Sequence, residues 1–228
     1  MSSAIDLSPL WISLETAAAT IAIVFVLGVV AAWWVERLSS EKAKILIDGI
    51  FTLPMVLPPT VAGFFLLVIF GNNRLVGRFF IDSFGVQIAF NWLATVLAAA
   101  VISFPLMYRS ARGALMQVDK GIMEAGRSLG MTEWRIFWRL HLPNAFPGII
   151  AGGLLAFARG LGEFGATAML AGNIAGKTRT LPLAVYSAVA AGDFDSAGVY
   201  VLIIVTICLA VVIGLNYYQH YMKKRMEE

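Results

Sequence analysis

Charge is scarce in this chain: Asp, Glu, Lys and Arg make up 14% of its 228 residues, against 59% hydrophobic residues. The mean hydropathy is +0.80. A chain so poor in charge cannot cover an ordinary soluble surface, and its length excludes two large domains, so residues 1–228 are expected to form one integral membrane domain. Cysteine is nearly absent. Cys208 stands alone in an apolar run, which excludes an internal disulfide and reads as packing. His141 and His220 lie far apart with no CxxC beside them, so no metal cluster is expected. The G-x-x-x-x-G-K-S/T phosphate cradle is missing too, and no paired carboxylates or nucleophile with its base stand out within the apolar runs. The chain alone is therefore read as a non-enzyme. Lys and Arg are absent from residues 1–10, which argues against a cleavable signal peptide, since that needs a basic leader and a shorter apolar core.

What is abundant is long apolar sequence. Residues 16–35 are uncharged. A helix of that length can cross the hydrocarbon layer, which is roughly 30 Å thick. Residues 49–70 form a second run interrupted by Pro54, Pro58 and Pro59, which remove backbone donors and predict a kink. A Gly- and Asn-containing loop over 71–87 precedes a third run at 88–108; a fourth covers 146–170 and a last one 198–218. The apolar stretch 181–191 is too short to span and is expected to be re-entrant or interfacial. Five crossings put the termini on opposite sides. With the N-terminus outside, inner segments hold Arg37, Lys42, Lys44, Arg109, Arg112, Lys120, Arg127, Arg135, Arg139, Lys223, Lys224 and Arg225, and the outer ones only Arg74, Arg78, Lys177 and Arg179. The positive-inside rule thus sets the C-terminus and the polar segment 116–143 in the cytoplasm.

That segment is the most polar in the chain, and 124–143 reads EAGRSLGMTEWRIFWRLHLP. Asp119 can cap a first helix carrying Ile122, Ala125 and Leu129, Gly130 supplies a left-handed stop, and Thr132 can cap a second helix. The second helix is expected to set Trp134, Phe137 and Trp138 on one face and to end at Pro143. An amphipathic interfacial loop would have this composition. A DNA-reading helix-turn-helix would not, because bulky aromatics occupy the places of groove-entering basic and amide side chains. No nucleic-acid partner is expected.

A third reading rests on spacing. Glu124, Ala125, Gly130, Leu142 and Pro143 match the EAA signature of ABC importer permeases, with Gly126 where a second Ala is usual and Leu140 where Ile is usual. From about residue 14 to 218 the chain also resembles molybdate transport permeases and their sulfate-transporting relatives, in the strings LPMVLPPTVAGF (53–64), SFPLMYRSARGAL (103–115), FARGLGEFGAT (157–167) and GKTRTLPLAVY (176–186). The resemblance implies an all-α transmembrane domain of the type I importer class, in the plasma (inner) membrane of a prokaryote. It implies a homodimer, two cytoplasmic ATPase subunits that bind ATP and Mg, and an external binding protein that delivers molybdate or tungstate. Glu124, Ala125, Gly126, Leu129, Gly130, Trp134, Leu142 and Pro143 would then meet the ATPase. No cofactor is expected in this chain. A secondary anion transporter or channel is the rival class, which a copurifying ATPase would exclude.

An anion path needs weak neutral donors, so Thr60, Gly63, Ser103 and Gly165 are candidates to line one, together with Pro58 and Pro59 of the broken second run; helix packing explains the same small residues equally well. Arg159 and Glu163, four apart in the fourth run, are expected to pair on one helix face. An unpaired charge at that depth is costly, so the pair either fixes the helix or offers a passing oxyanion an attraction softened by the carboxylate.

Overall fold

The computed structural model describes residues 5–227, with side chains through Met222; the basic-tail assignments at Lys223, Lys224 and Arg225 fall outside the described side chains. The described chain is helical throughout. Its frame is three long helices, α1 (Ser8–Glu36), α5 (Trp92–Met116) and α8 (Leu142–Leu161), whose contact faces form the main core of Val24, Met107, Tyr108, Ala111, Ile149 and Ala156.

Between α1 and α5 come α2 (Glu41–Val56), α3 (Pro59–Phe70) and α4 (Leu75–Phe84). Ser40 caps α2 by accepting the Ala43 N–H, and Pro54 is carried inside that helix without ending it. The break comes at Leu57 and Pro58. Each precedes a proline, which disfavours helical backbone. Both adopt extended conformations, with ψ of 143° and 133°. Two such residues in succession turn α3 by 110° from α2, so the expected kink is a sharp bend.

Whether this bent pair crosses the membrane follows from the register of α1 against α5. The Thr16 and Thr95 hydroxyls lie 2.8 Å apart near the starts of the two helices, and Arg112 Nε donates to Glu36 at 2.6 Å near their ends. Residue numbers rise together, so α1 and α5 run parallel. The chain must therefore return across the bilayer between them, and α2 with α3 is the only apolar segment there to do it. With the four straight helices that meet the length and hydropathy of a span, this makes five crossings. The odd count expected from the sequence holds.

Several boundaries differ from those expected, and four of these shape the site. Residues 71–87 contain α4, ended by left-handed Gly85 (φ 65°). The third span begins at Trp92 and runs to Met116, past Arg109 and Arg112, both of which lie within the helix. Pro143 does not stop its helix: a wide π turn over Phe137–His141 joins α7 (Glu133–Ile136) to α8, and Leu142 N–H bonds Phe137 O five residues back. That shift removes the need for the N–H that Pro143 lacks. The Asn144 side chain donates to Leu140 O at 2.7 Å, which occupies a carbonyl of the same turn. At its other end the fourth span stops at Leu161, and α9 (Gly165–Leu170) is a separate short helix.

α3 packs along α9, with Ala62, Leu66, Ala166 and Leu170 buried between them and α5. α10 (Leu181–Ala190) is too short to span, as expected, and the Ser13 hydroxyl on α1 accepts the Leu181 N–H at its start. α11 (Phe194–Glu227) crosses last, and Tyr200 near its start donates to Asp6 O. At the helical rise per residue, about 40 Å of helix extends beyond that anchor, more than the hydrocarbon thickness.

Candidate functional site

Both ends of α8 carry the chemistry. At one end lies α6 (Lys120–Ser128), followed by a turn and α7. Asp119 accepts the Gly121 N–H at 2.9 Å and Thr132 accepts the Arg135 N–H at 3.4 Å, so both expected caps are made. Gly130 takes φ 71°, and a Cβ there would meet nothing within 4 Å. That conformation costs other L-residues about 1–2 kcal/mol. The backbone requirement alone selects glycine.

The segment presents one face outward. Leu129 is 82% exposed and Trp134 61%, and Glu124, Ala125 and Pro143 are exposed as well. Gly126 is buried and Leu142 half-buried. Phe137 departs from the expected common aromatic face. It turns inward, its ring 4.9 Å from Trp33 of α1, and Trp134 and Trp138 stack edgewise outside it. Arg37 lies 4.5 Å over the Trp33 ring. Trp33 and Arg37 thus tie the segment to the first span, a role that no local pattern in the sequence marks.

Gly126 faces Leu140. A Cβ at Gly126 would stand 2.8 Å from Leu140 Cδ1 and 3.2 Å from Ile136 Cγ1, so the two departures from the EAA signature touch one another. Arg127 grips Glu133 with two hydrogen bonds of 2.7 and 3.3 Å across the turn. The bond from Arg127 holds the Glu133 carboxyl below the usual carboxylate range, and the same contact raises Arg127. His141 Nε2 lies 2.9 Å from Leu115 O. A carbonyl can only accept, so Nε2 carries the proton and fastens the π turn to the end of α5. Deeper, Arg112 joins Glu36 of α1 to Asp48 of α2 at 2.6 and 2.7 Å, and Tyr108 also donates to Asp48. The segment is therefore tied to three spans, to α1 through Trp33, to α5 through His141 and to α8 through the π turn.

At the other end of α8, Arg159 Nη1 and Glu163 Oε2 lie 2.8 Å apart. The expected pair exists, but the two do not share a helix face: Glu163 stands past the end of α8, where its Oε1 accepts the Ala166 N–H of α9. The Glu163 side chain is 2% exposed and that of Arg159 37%. Arg159 faces a cavity of about 250 Å³ lined by Pro54, Met55, Leu57 and Pro59 of the α2–α3 break and Ile102 and Leu106 of α5.

The other path candidates divide. Thr60 and Pro58 are exposed at the break. Gly63 and Gly165 lie in the α3–α9 contact, where a Cβ on Gly63 would come 2.7 Å from Ala166 Cα and one on Gly165 would come 3.0 Å from Pro59 Cβ. Ser103 is fully buried and donates to Ala99 O at 2.6 Å, within its own helix.

One end of α8 thus carries a helix–turn–helix segment with an exposed apolar face, and the other end carries an ion pair beside the break between α2 and α3. The binding-protein-dependent transport system inner membrane component family matches residues 10–228, and the chain belongs to it. The molybdenum transport system permease protein ModB of Escherichia coli is 44% identical over 208 residues, covering 90% of each chain. The sulfate transport system permease protein CysT of Synechocystis sp. is 33% identical over 196 residues, 86% of this chain and 68% of that one. In fold, the chain resembles one from a structure of the MetNI methionine ABC transporter in inward-facing conformations, with a TM-score of 0.72 at 17% identity, covering 93% of this chain and 94% of that one.

Proposed function

We propose that the chain is the permease of an ATP-driven oxyanion importer whose substrate is molybdate or tungstate. The observation that carries this reading is the 44% identity to a molybdenum permease across nine-tenths of both chains. Two copies form the transmembrane pathway. Each offers segment 116–143 to one of two cytoplasmic ATPase subunits, which hold ATP and Mg, and an external receptor delivers the anion. The exposed Leu129, Trp134 and Trp138 supply the apolar surface that such docking needs. Because the segment is fixed to α1 through Trp33 and to α5 through His141, a pull on it moves whole spans rather than a loop. Closure of the ATPase pair on ATP turns the pathway outward, and hydrolysis resets it.

Sulfate is the second substrate reading, favoured by the 33% identity to CysT. Purification of the permease with its partner ATPase and receptor, followed by receptor binding of molybdate, tungstate and sulfate and by uptake into proteoliposomes, tests both. The expected result is ATP-dependent uptake of molybdate and tungstate with sulfate bound far more weakly. A receptor selective for sulfate transfers the assignment to that anion, and uptake without any ATPase overturns the ATP-driven mechanism.

A further inference from the structure

Arg159 is a cation placed at mid-membrane with part of its surface open. Two neighbouring helices fix its level. The lining residues Ile102 and Leu106 lie six to ten positions along α5 from Arg112, away from the Glu36–Asp48 cluster that marks the inner ends of α1 and α2. At the helical rise per residue this separation is about 9 to about 15 Å. Pro54 and Leu57 stand at a similar height along α2 from Asp48. A guanidinium at such a depth persists only with compensating negative charge or water. Glu163 supplies one negative charge, but from the side: it is itself sealed in protein, and its second oxygen is committed to the Ala166 N–H.

We propose that this cavity is the station where the permease holds its dianion, with Arg159 as the recognising group and Glu163 as a fixed counter-charge that keeps the hold weak. The proposal rests on the oxyanion-importer reading above. The guanidinium fork carries five N–H donors, and contact with one carboxylate oxygen leaves others for the oxygens of a tetrahedral anion. The remaining lining named for the cavity is apolar or proline, so no second fixed cation adds to the attraction. The cavity of about 250 Å³ has room for a tetrahedral oxyanion and several waters. A bare Arg facing a dianion in low dielectric would trap it, and a pathway must bind and release. The neighbouring carboxylate lowers the local charge without occupying the cavity, because the α9 backbone holds it outside. The bend of α3 from α2 opens the cavity at that height: a straight helix through 41–70 would carry residues 57–59 past it in continuous backbone pairing.

The test uses the complete permease–ATPase complex. Binding of molybdate to the receptor-free complex is measured by equilibrium dialysis, and receptor-dependent molybdate uptake is measured in proteoliposomes, with assembly checked by copurification of the ATPase. Arg159→Gln should lower uptake at least tenfold and abolish binding, with Arg159→Lys in between. Glu163→Gln should tighten binding several-fold while slowing uptake, a combination that a purely packing pair would not give. If Glu163→Gln strands Arg159 and prevents assembly, the double variant Arg159→Gln with Glu163→Gln carries no stranded charge and decides the matter. A double variant that assembles yet transports less than a tenth of the parent supports the proposal. One that assembles and transports at the parent rate, or a Glu163→Gln complex that binds molybdate no more tightly than the parent, overturns it. A parent complex that takes up no molybdate, tungstate or sulfate would instead bring down the importer reading itself, and this proposal with it.

Discussion

Gly126 and Leu140 show how a recognition loop can change sequence and keep its shape. Leucine branches at Cγ, one carbon further out than β-branched isoleucine, and the Cβ missing at Gly126 leaves the space that Leu140 Cδ1 enters. Gly126→Ala gains up to about 1 kcal/mol of helix propensity but must push Leu140 aside, so alone it should change stability by less than about 1 kcal/mol. Combined with Leu140→Ile it should be more stable than the two single effects predict, by about 0.5–1 kcal/mol in thermal unfolding of the solubilised protein. Simple additivity would mean that the contact does not couple them. Gly130 is a different case, because there the space is open and the backbone decides. Gly130→Val should insert in the membrane normally and yet copurify at least tenfold less ATPase, whereas Gly130→Asn, which tolerates the left-handed region, should retain most of it. Parent-level recovery of ATPase with the valine variant would remove the docking role from this turn.

Among the elements, the caps at Asp119 and Thr132 and the turn at Gly130 were legible because each is a local choice between a residue and its own backbone. The break at Pro58 and Pro59 was legible in place but not in size: prolines announce lost hydrogen bonds, and the 110° bend depends on what α3 then packs against. Pro143 misled for the same reason, since the π turn that absorbs it is held from outside, by His141 on α5 and Phe137 on Trp33. Arg159 and Glu163 read as one helix face because the apolar run continues past them, but Gly162 between them ends α8 and the Glu163 side chain turns to the Ala166 N–H of α9. α4 was hidden by its charges, Arg78 and Asp82, which interrupt the apolar run and pair across one turn at 3.7 Å. The α3–α9 contact gives a prediction at this scale. A methyl on Gly63 would meet backbone and the Met169 Cβ, neither of which can swing away. Gly63→Ala should therefore destabilise by about 1–3 kcal/mol, the usual cost of overpacking. Gly165→Ala, whose nearest neighbours stand at 3.0 to 3.2 Å, should cost less. The two are ranked by melting temperature in detergent, and a neutral Gly63→Ala would mean that the helices are not held at this distance.

For the whole molecule, the parallel register of α1 and α5 and the distribution of charge answer separate questions. Register says that the chain returns to its starting side before α5, which makes the bent α2–α3 pair a true crossing. Charge says which side that is: Lys and Arg concentrate in the segments after α1, around α6 and α7 and near the end of α11, and the rule counts them whether or not acidic partners neutralise them. The Arg112 contacts with Glu36 and Asp48 therefore do not weaken the argument. On these two grounds we propose that α4 lies outside and the α6–α7 segment in the cytoplasm, where an ATPase can reach it. The prediction is made on a Cys208→Ala background with one new cysteine at a time, at Asn73 before α4 or at Ser128 at the end of α6, both of which are exposed. In intact cells a membrane-impermeant maleimide should label Asn73→Cys and leave Ser128→Cys unlabelled until the membrane is opened. Labelling of Ser128→Cys alone would invert the orientation and put the docking segment out of reach of any cytoplasmic ATPase. Labelling of both in intact cells would mean that α5 does not separate them across the bilayer, against the length and hydropathy that make it a span.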